Sequence, residues 1–158
     1  MDKLTPRQRT EVMSKVKGRN TVPEIKVRQA LHAMGYRFRL HRSDLPGKPD
    51  ITLARHGVCI FVHGCFWHRH PDCLRATTPQ TNSEFWARKL SGNVERDQRS
   101  ATALIQAGWR VCVIWECETK DASALARAVQ RCMTPRGAIP HSGEQRDCSD
   151  TGHTSKEC

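Results

Sequence analysis

Residues 50–73, DITLARHGVCIFVHGCFWHRHPDC, decide how this chain is read. Two short apolar runs, Ile51 to Ala54 and Val58 to Val62, flank Arg55-His56-Gly57, a turn of the kind that joins hairpin strands. The second run is apolar throughout, which places it near the centre of a sheet. Just past its end, the segment His63 to Cys73 crowds three imidazoles, two thiols and the Phe66-Trp67 pair together. Cys65, His70 and Cys73 follow a C-x4-H-x2-C spacing. Sulfur and nitrogen ligands in a tetrahedral set are what Zn²⁺, a borderline-soft d¹⁰ ion, prefers. One more thiolate from elsewhere closes the set, and Cys117, just beyond a later buried strand, is the choice. Such a closed site has no open coordination position, so the zinc is expected to hold a loop rather than to catalyse. The plainer alternative is a chance gathering of buried thiols and surface histidines.

Moving towards the N-terminus, Leu45-Pro46-Gly47-Lys48-Pro49-Asp50 is a tight turn that delivers a carboxylate to the start of a strand. Asp50 and His63, on neighbouring strands, can point into one cleft. A carboxylate with an exposed main-chain carbonyl suits Mg²⁺, which keeps several waters. Such an ion stabilises charge on a phosphoryl oxygen and acidifies a bound water, the two requirements of phosphodiester hydrolysis. Pro-Asp at a strand start is also ordinary turn chemistry. Further back, Thr21-Val22-Pro23-Glu24 is a capping box. It opens a helix that should bury Val27, Ala30, Leu31 and Met34 and stop at Gly35. Tyr36 to Leu40 alternates as a half-exposed strand. Residues 1–20, rich in Lys and Arg, read as a basic arm or short helix outside the core.

Towards the C-terminus, Ser83 can cap a helix carrying Phe85, Trp86 and Leu90. Gly92-Asn93 then interrupts the pattern, and a second helical stretch from Val94 should bury Ala101, Leu104 and Ile105 and end at Gly108. Trp109 to Trp115 is another buried strand, and a helix with Leu125 and Val129 closes the domain. From Thr134 the chain turns polar, as a disordered tail does. Three segments result: an arm over 1–20, a folded domain over 21–133 and a tail over 134–158. The element order implies an α/β sandwich, a central mixed sheet flanked by helices. Cys59 and Cys112 read as small hydrophobes within strands, and Cys132, Cys148 and Cys158 as free thiols near or in the tail. His32, His41, His56, His141 and His153 read as ordinary surface residues.

A chain of 158 residues fits one domain. Its net charge of +10 calls for a polyanionic partner, with nucleic acid the default. No stretch resembles a signal peptide or approaches the roughly 20 apolar residues of a bilayer span. The expectation is therefore a soluble, cytoplasmic and nucleoid-associated protein, whose cysteines serve as metal ligands or buried thiols rather than disulfides.

Four ordered blocks carry a resemblance that spans roughly residues 5–132. They are Pro46-Gly47-Lys48-Pro49-Asp50, Phe61 to His68, Asn93-Val94-Glu95-Arg96-Asp97, and Gly108 to Val111 with Trp115-Glu116-Cys117. The chain resembles the very-short-patch mismatch repair endonucleases, of the restriction-endonuclease-like group. That resemblance implies a monomer that nicks duplex DNA 5′ of the thymine in a T:G mismatch, the lesion left by deamination of 5-methylcytosine. It also implies a functional link to a cytosine-5 DNA methyltransferase and to general mismatch-repair proteins. By the same resemblance, two Mg²⁺ ions serve catalysis, with Asp50 a direct ligand and the Val62 main-chain carbonyl a second. His63 and Asp97 would hold metal-bound waters, and His68 would act as general acid or base. One structural Zn²⁺ on Cys65, His70, Cys73 and Cys117 agrees with the spacing. Phe66 and Trp67 match an aromatic wedge that enters the base stack from the major groove, and Met13 a residue that enters from the minor groove. Glu24 matches an acidic residue near the active site, although its capping role explains it as well.

The chain departs from the wider nuclease group where Phe61 and His63 stand in place of an acid and a Lys. It departs from its nearer resemblance where Val62 replaces a common Thr. Two other readings stay open: a restriction-type or structure-selective nuclease without mismatch preference, and a zinc-stapled DNA-binding module without enzyme activity.

Overall fold

A computed structural model describes residues 5–135. The expected tail therefore falls, from residue 136 onward, outside the described residues, together with Cys148, Cys158, His141 and His153. The first helix, α1 (Pro6–Ser14), is opened by Thr5 and Gln8, whose side chains reciprocally accept each other's backbone N–H. The second, α2 (Val22–Ala33), starts at the expected Thr21–Glu24 capping box and ends before Gly35, which takes φ +84°. Val27 and Leu31 of α2 are fully buried. Met34, expected inside, is exposed, because it is the C-cap residue and lies past the last inward-facing turn.

Four strands follow, in the spatial order β1-β2-β3-β4. They are β1 (Arg39–Leu40), β2 (Ile51–Leu53), β3 (Val58–His63) and β4 (Arg110–Trp115). The first three are antiparallel, while β3 and β4 run parallel in register from Val58↔Arg110 to His63↔Trp115. A parallel pair needs a long crossover, supplied by α3 (Ser83–Gln106). The final helix is α4 (Ala122–Met133). This mixed sheet with flanking helices is the α/β arrangement expected. β1 is shorter than the Tyr36–Leu40 segment, since only Arg39 and Leu40 find ladder partners.

Alternation along β3 divides the core. Val58 and Ile60 join Ile51, Leu53 and Ile114 beneath α2 and α4, where Val27, Leu31, Leu125, Ala128 and Val129 complete one cluster. Phe61 and His63 take the opposite parity of the strand. Phe61 lies near Ser100 of α3, since a Cβ on Gly47 would meet both side chains. That glycine has φ +71°, and its added Cβ would come within 2.5 Å of the Ser100 Cβ. The Leu45–Asp50 turn is thus seated against α3 by a residue that can be nothing larger.

Three expectations are corrected here. α3 is one continuous helix through Gly92-Asn93, with Asn93 Nδ2 donating to the Trp67 carbonyl at 3.1 Å, so a residue that favours turns is held in the helix by a tertiary bond. Its N-cap is Asn82 at φ +55°, not Ser83, and Asn82 tolerates that left-handed conformation better than most residues. Cys112 and Cys132, read as a small hydrophobe and a free thiol, form a disulfide. α4 crosses β4 closely enough to bring their Cα atoms to 5.4 Å, within the range a disulfide spans. The two residues are 20 apart in sequence and on different elements, so no local pattern announces the pair.

Candidate active site and metal centre

Both clusters of chemistry lie where the chain leaves β3. The first is the thiol cluster. Cys65 and His70 lie on the turns after β3, with His70 N–H donating to the Cys65 carbonyl at 3.0 Å. Cys117 lies on the 3₁₀ turn Glu116–Thr119 that follows β4. His70 Nδ1 stands 3.6 Å from Cys65 Sγ and 3.4 Å from Cys117 Sγ. One ligand atom from each of Cys65, His70, Cys73 and Cys117 falls within 4.8 Å of the other three. A tetrahedral zinc with the usual bond lengths sets sulfur and nitrogen about 3.6 Å apart, so this donor set fits the ion in both chemistry and spacing. The imidazole is held flat against Trp115, with centroids 4.2 Å apart and planes 11° from parallel. Burial pushes the Cys65 thiol up to about 12. A dication inverts that preference by taking the thiolate as ligand.

The turn bearing Cys117 is itself anchored. Glu118 accepts from Trp115 N–H at 2.9 Å and from Arg131 of α4 at 2.7 Å, and Arg131 also donates to the Val113 carbonyl. A metal at this point would tie the exit of β3 to the exit of β4.

The second cluster has two halves. In one, His68 Nδ1 lies 2.5 Å from Asp97 Oδ2 of α3, and the His63 ring stacks on His68 with centroids 3.9 Å apart and planes 8° from parallel. Burial, reinforced by the His68 charge, pushes His63 down to about 4, which keeps it neutral. In the other half, Asp50 Oδ2 accepts from Val62 N–H at 2.8 Å. Burial raises the Asp50 carboxyl to about 6 against the lowering effect of that bond, and the Glu24 charge raises it further. Glu24, buried at the start of α2, satisfies the N–H groups of Asn20 and Thr21 and pairs with Arg28 at 2.9 Å. Each half forms a group able to hold a metal ion: His63, His68 and Asp97 in one, and Glu24, His41 and Asp50 in the other. Asp50 and His63 therefore flank Val62 from opposite halves of one region.

The aromatic pair is backed by α3. Phe66 and Trp67 are half-buried and meet at 5.0 Å, edge to face. Both rest near Trp86, at 5.6 Å and 6.0 Å, and Trp86 is itself buried. Met13 lies on α1 and is half-buried.

His41 and Arg28 are residues of this region that the sequence reading passed over. His41 was read as a surface residue, yet it stands between Glu24 and Asp50. Nothing in local spacing marks it, because its partners come from α2 and from the turn before β2. His32 and His56 are exposed, as expected, and lie edge-on to Phe38 and Tyr36. Among the described residues no helix is long and apolar enough to cross a membrane.

Comparison with known proteins identifies relatives of the chain. The family model described as DNA mismatch endonuclease Vsr matches residues 1–75. The chain is 46% identical over 134 residues to the Type II nicking enzyme V.XorIIP of Xanthomonas oryzae pv. oryzae, covering 85% of this chain and 98% of that protein. It is 38% identical to the Type II nicking enzyme V.NmeAIP of Neisseria meningitidis, covering 82% and 92% of the two chains. To the DNA mismatch endonuclease Vsr of Escherichia coli it is 39% identical, over 78% of this chain and 77% of that one. The catalytic domain of the homing endonuclease I-Bth0305I aligns with a TM-score of 0.49 at 22% identity, over 71% of this chain and 93% of that one. The chain belongs to the Vsr family of DNA mismatch endonucleases.

Proposed function

We propose that this protein nicks duplex DNA on the 5′ side of the thymine in a T:G mismatch arising from 5-methylcytosine deamination, with Mg²⁺ in the cleft and structural Zn²⁺ on Cys65, His70, Cys73 and Cys117. The observation that carries the reading is the His68–Asp97 pair at 2.5 Å, set a few residues from Asp50's bond to Val62 and directly beside the Phe66-Trp67 pair. Hydrolytic groups and a wedge for an unstacked step thus share one segment.

Asp50 and the Val62 main-chain carbonyl would hold Mg²⁺, with His63 and Asp97 acting through water. When bound, that ion supplies positive charge to the phosphoryl oxygens and acidifies a coordinated water. His68 donates its Nδ1–H to Asp97, which leaves Nε2 as the nitrogen free to take or return a proton at the scissile phosphate. The stacked, neutral His63 fixes the plane of that ring. Phe66, Trp67 and, from the other groove, Met13 would enter the stack at the mismatch. A mispaired step opens at a lower cost than a paired one, a difference of a few kcal/mol that becomes selectivity. The net charge of +10 supports attachment to the phosphate backbone. The same reading makes the protein a cytoplasmic, nucleoid-associated monomer that acts alongside a cytosine-5 DNA methyltransferase, with residues 1–20 as a DNA-contacting arm on the domain 21–133.

The test is a Trp67→Ala variant assayed on T:G and on matched T:A duplexes. Selective loss of T:G cleavage supports the wedge. Equal loss or retention on both substrates would favour a nuclease without mismatch preference.

A further inference from the structure

His41 follows β1 directly, at φ +46°, and its backbone N–H donates to the Asp50 carbonyl at 3.3 Å. Its ring, mostly shielded from solvent, stands between two carboxylates. Nε2 is 3.7 Å from Glu24 Oε2, and Nδ1 is 3.8 Å from Asp50 Oδ1. Arg28 Nη2 approaches His41 Nε2 at 3.1 Å while also donating to Glu24 Oε2 at 2.9 Å. A guanidinium has only donors. With Arg28 donating, Nε2 is the acceptor, and the tautomer that fits this contact has its N–H at Nδ1, facing Asp50.

Asp50 Oδ2 accepts from Val62 N–H at 2.8 Å, and the imidazole edge faces Oδ1 from 3.8 Å. The 3.8 Å separation is longer than a hydrogen bond, and a shift of less than about 1 Å brings it into range. With Nε2 occupied by Arg28 and Nδ1 protonated, the ring has no lone pair free to act as a ligand in this tautomer. Its chemistry here is orientation.

We propose that His41 is a positioning residue for Asp50: held by Arg28 with its proton on Nδ1, it fixes the orientation in which that carboxylate meets a divalent metal. The inference rests on the reading of Asp50 as a metal ligand. Partners that orient a metal-binding carboxylate typically contribute 10–100-fold to metal affinity.

The experiment is a Mn²⁺ titration, read as free Mn²⁺ by electron paramagnetic resonance, of the full-length protein bound to a non-cleavable T:G duplex. Wild type, His41→Leu, His41→Gln and Asp50→Ala are compared, with melting temperature and zinc content recorded for each. Leu removes both polar edges, whereas Gln keeps one acceptor for Arg28 and one donor for Asp50. The expected result is Mn²⁺ binding weakened about 10–100-fold in His41→Leu and restored to within a few-fold by His41→Gln, with zinc content unchanged in both. Wild-type affinity in His41→Leu, while Asp50→Ala loses binding, overturns the role of His41 and leaves Asp50 as ligand. A loss in His41→Leu that Gln does not restore overturns it as well. Wild-type binding in Asp50→Ala refutes the ligand reading itself.

Discussion

Two polar clusters leave the end of the same strand and differ in almost every other respect. The thiol cluster is closed: four ligand atoms converge within 4.8 Å, and one imidazole nitrogen faces two sulfurs. The cleft is open and divided, with Asp50 bonded to Val62 on one side and His68 to Asp97 on the other. A closed donor set satisfies itself and therefore stabilises the fold. An open one leaves a buried carboxyl and a free imidazole nitrogen, which folding alone does not need. The lesson is that damage to the first should appear in stability and damage to the second in rate.

The largest effect is expected from breaking the closed cluster. Cys117→Ser should release zinc and lower the melting temperature steeply, since structural zinc contributes free energy on the order of 10 kcal/mol to small domains. Zinc content and thermal melting, read together, check this, and an unchanged melting curve in zinc-free protein contradicts it. Next comes the cleft, where His68→Ala should reduce nicking by about 10²–10⁴-fold and leave the melting temperature near wild type. Single-turnover kinetics on a T:G duplex provide the measure. A comparable loss of stability would erase the distinction between the clusters.

The remaining two predictions sharpen the comparison at its supports. Reduction of Cys112–Cys132, or Cys112→Ser, should destabilise the oxidised protein by about 3 kcal/mol on the chain-entropy model for a loop of 20 residues, with zinc still bound. Denaturant melts with and without reductant test it. Gly47→Ala should cost about 2 kcal/mol, from the strain of φ +71° and the contact with Ser100. It should also slow nicking, because the same turn carries Asp50. A neutral substitution would show that the turn is not pinned by α3.

The same contrast explains what was legible in the sequence. Three of the four thiol-cluster ligands lie within nine residues, Cys65 to Cys73, so spacing alone suggested them. β2, β3, β4, α2 and α4 were likewise readable, because each carries its own apolar pattern or cap. The cleft draws on α2, the turn before β2, β3, the loop after it and α3; neighbouring strands suggested Asp50 with His63, and only family resemblance added His68 and Asp97. His41 escaped even that, since its role depends on Glu24 and Arg28, 17 and 13 positions away. Gly92-Asn93 misled in the other direction: the propensity to break a helix was overridden by Asn93's bond to Trp67. The disulfide was hidden because it joins faces of two elements whose packing no local pattern declares.

The most direct measurement is incision of an end-labelled duplex carrying one T:G mismatch, in several flanking contexts, beside a matched T:A duplex, with Mg²⁺ and then with EDTA. Incision 5′ of the mismatched thymine, present with Mg²⁺, abolished by EDTA and absent from the T:A duplex, is the predicted result. Equal cutting of both duplexes, or incision that survives EDTA, would contradict the account.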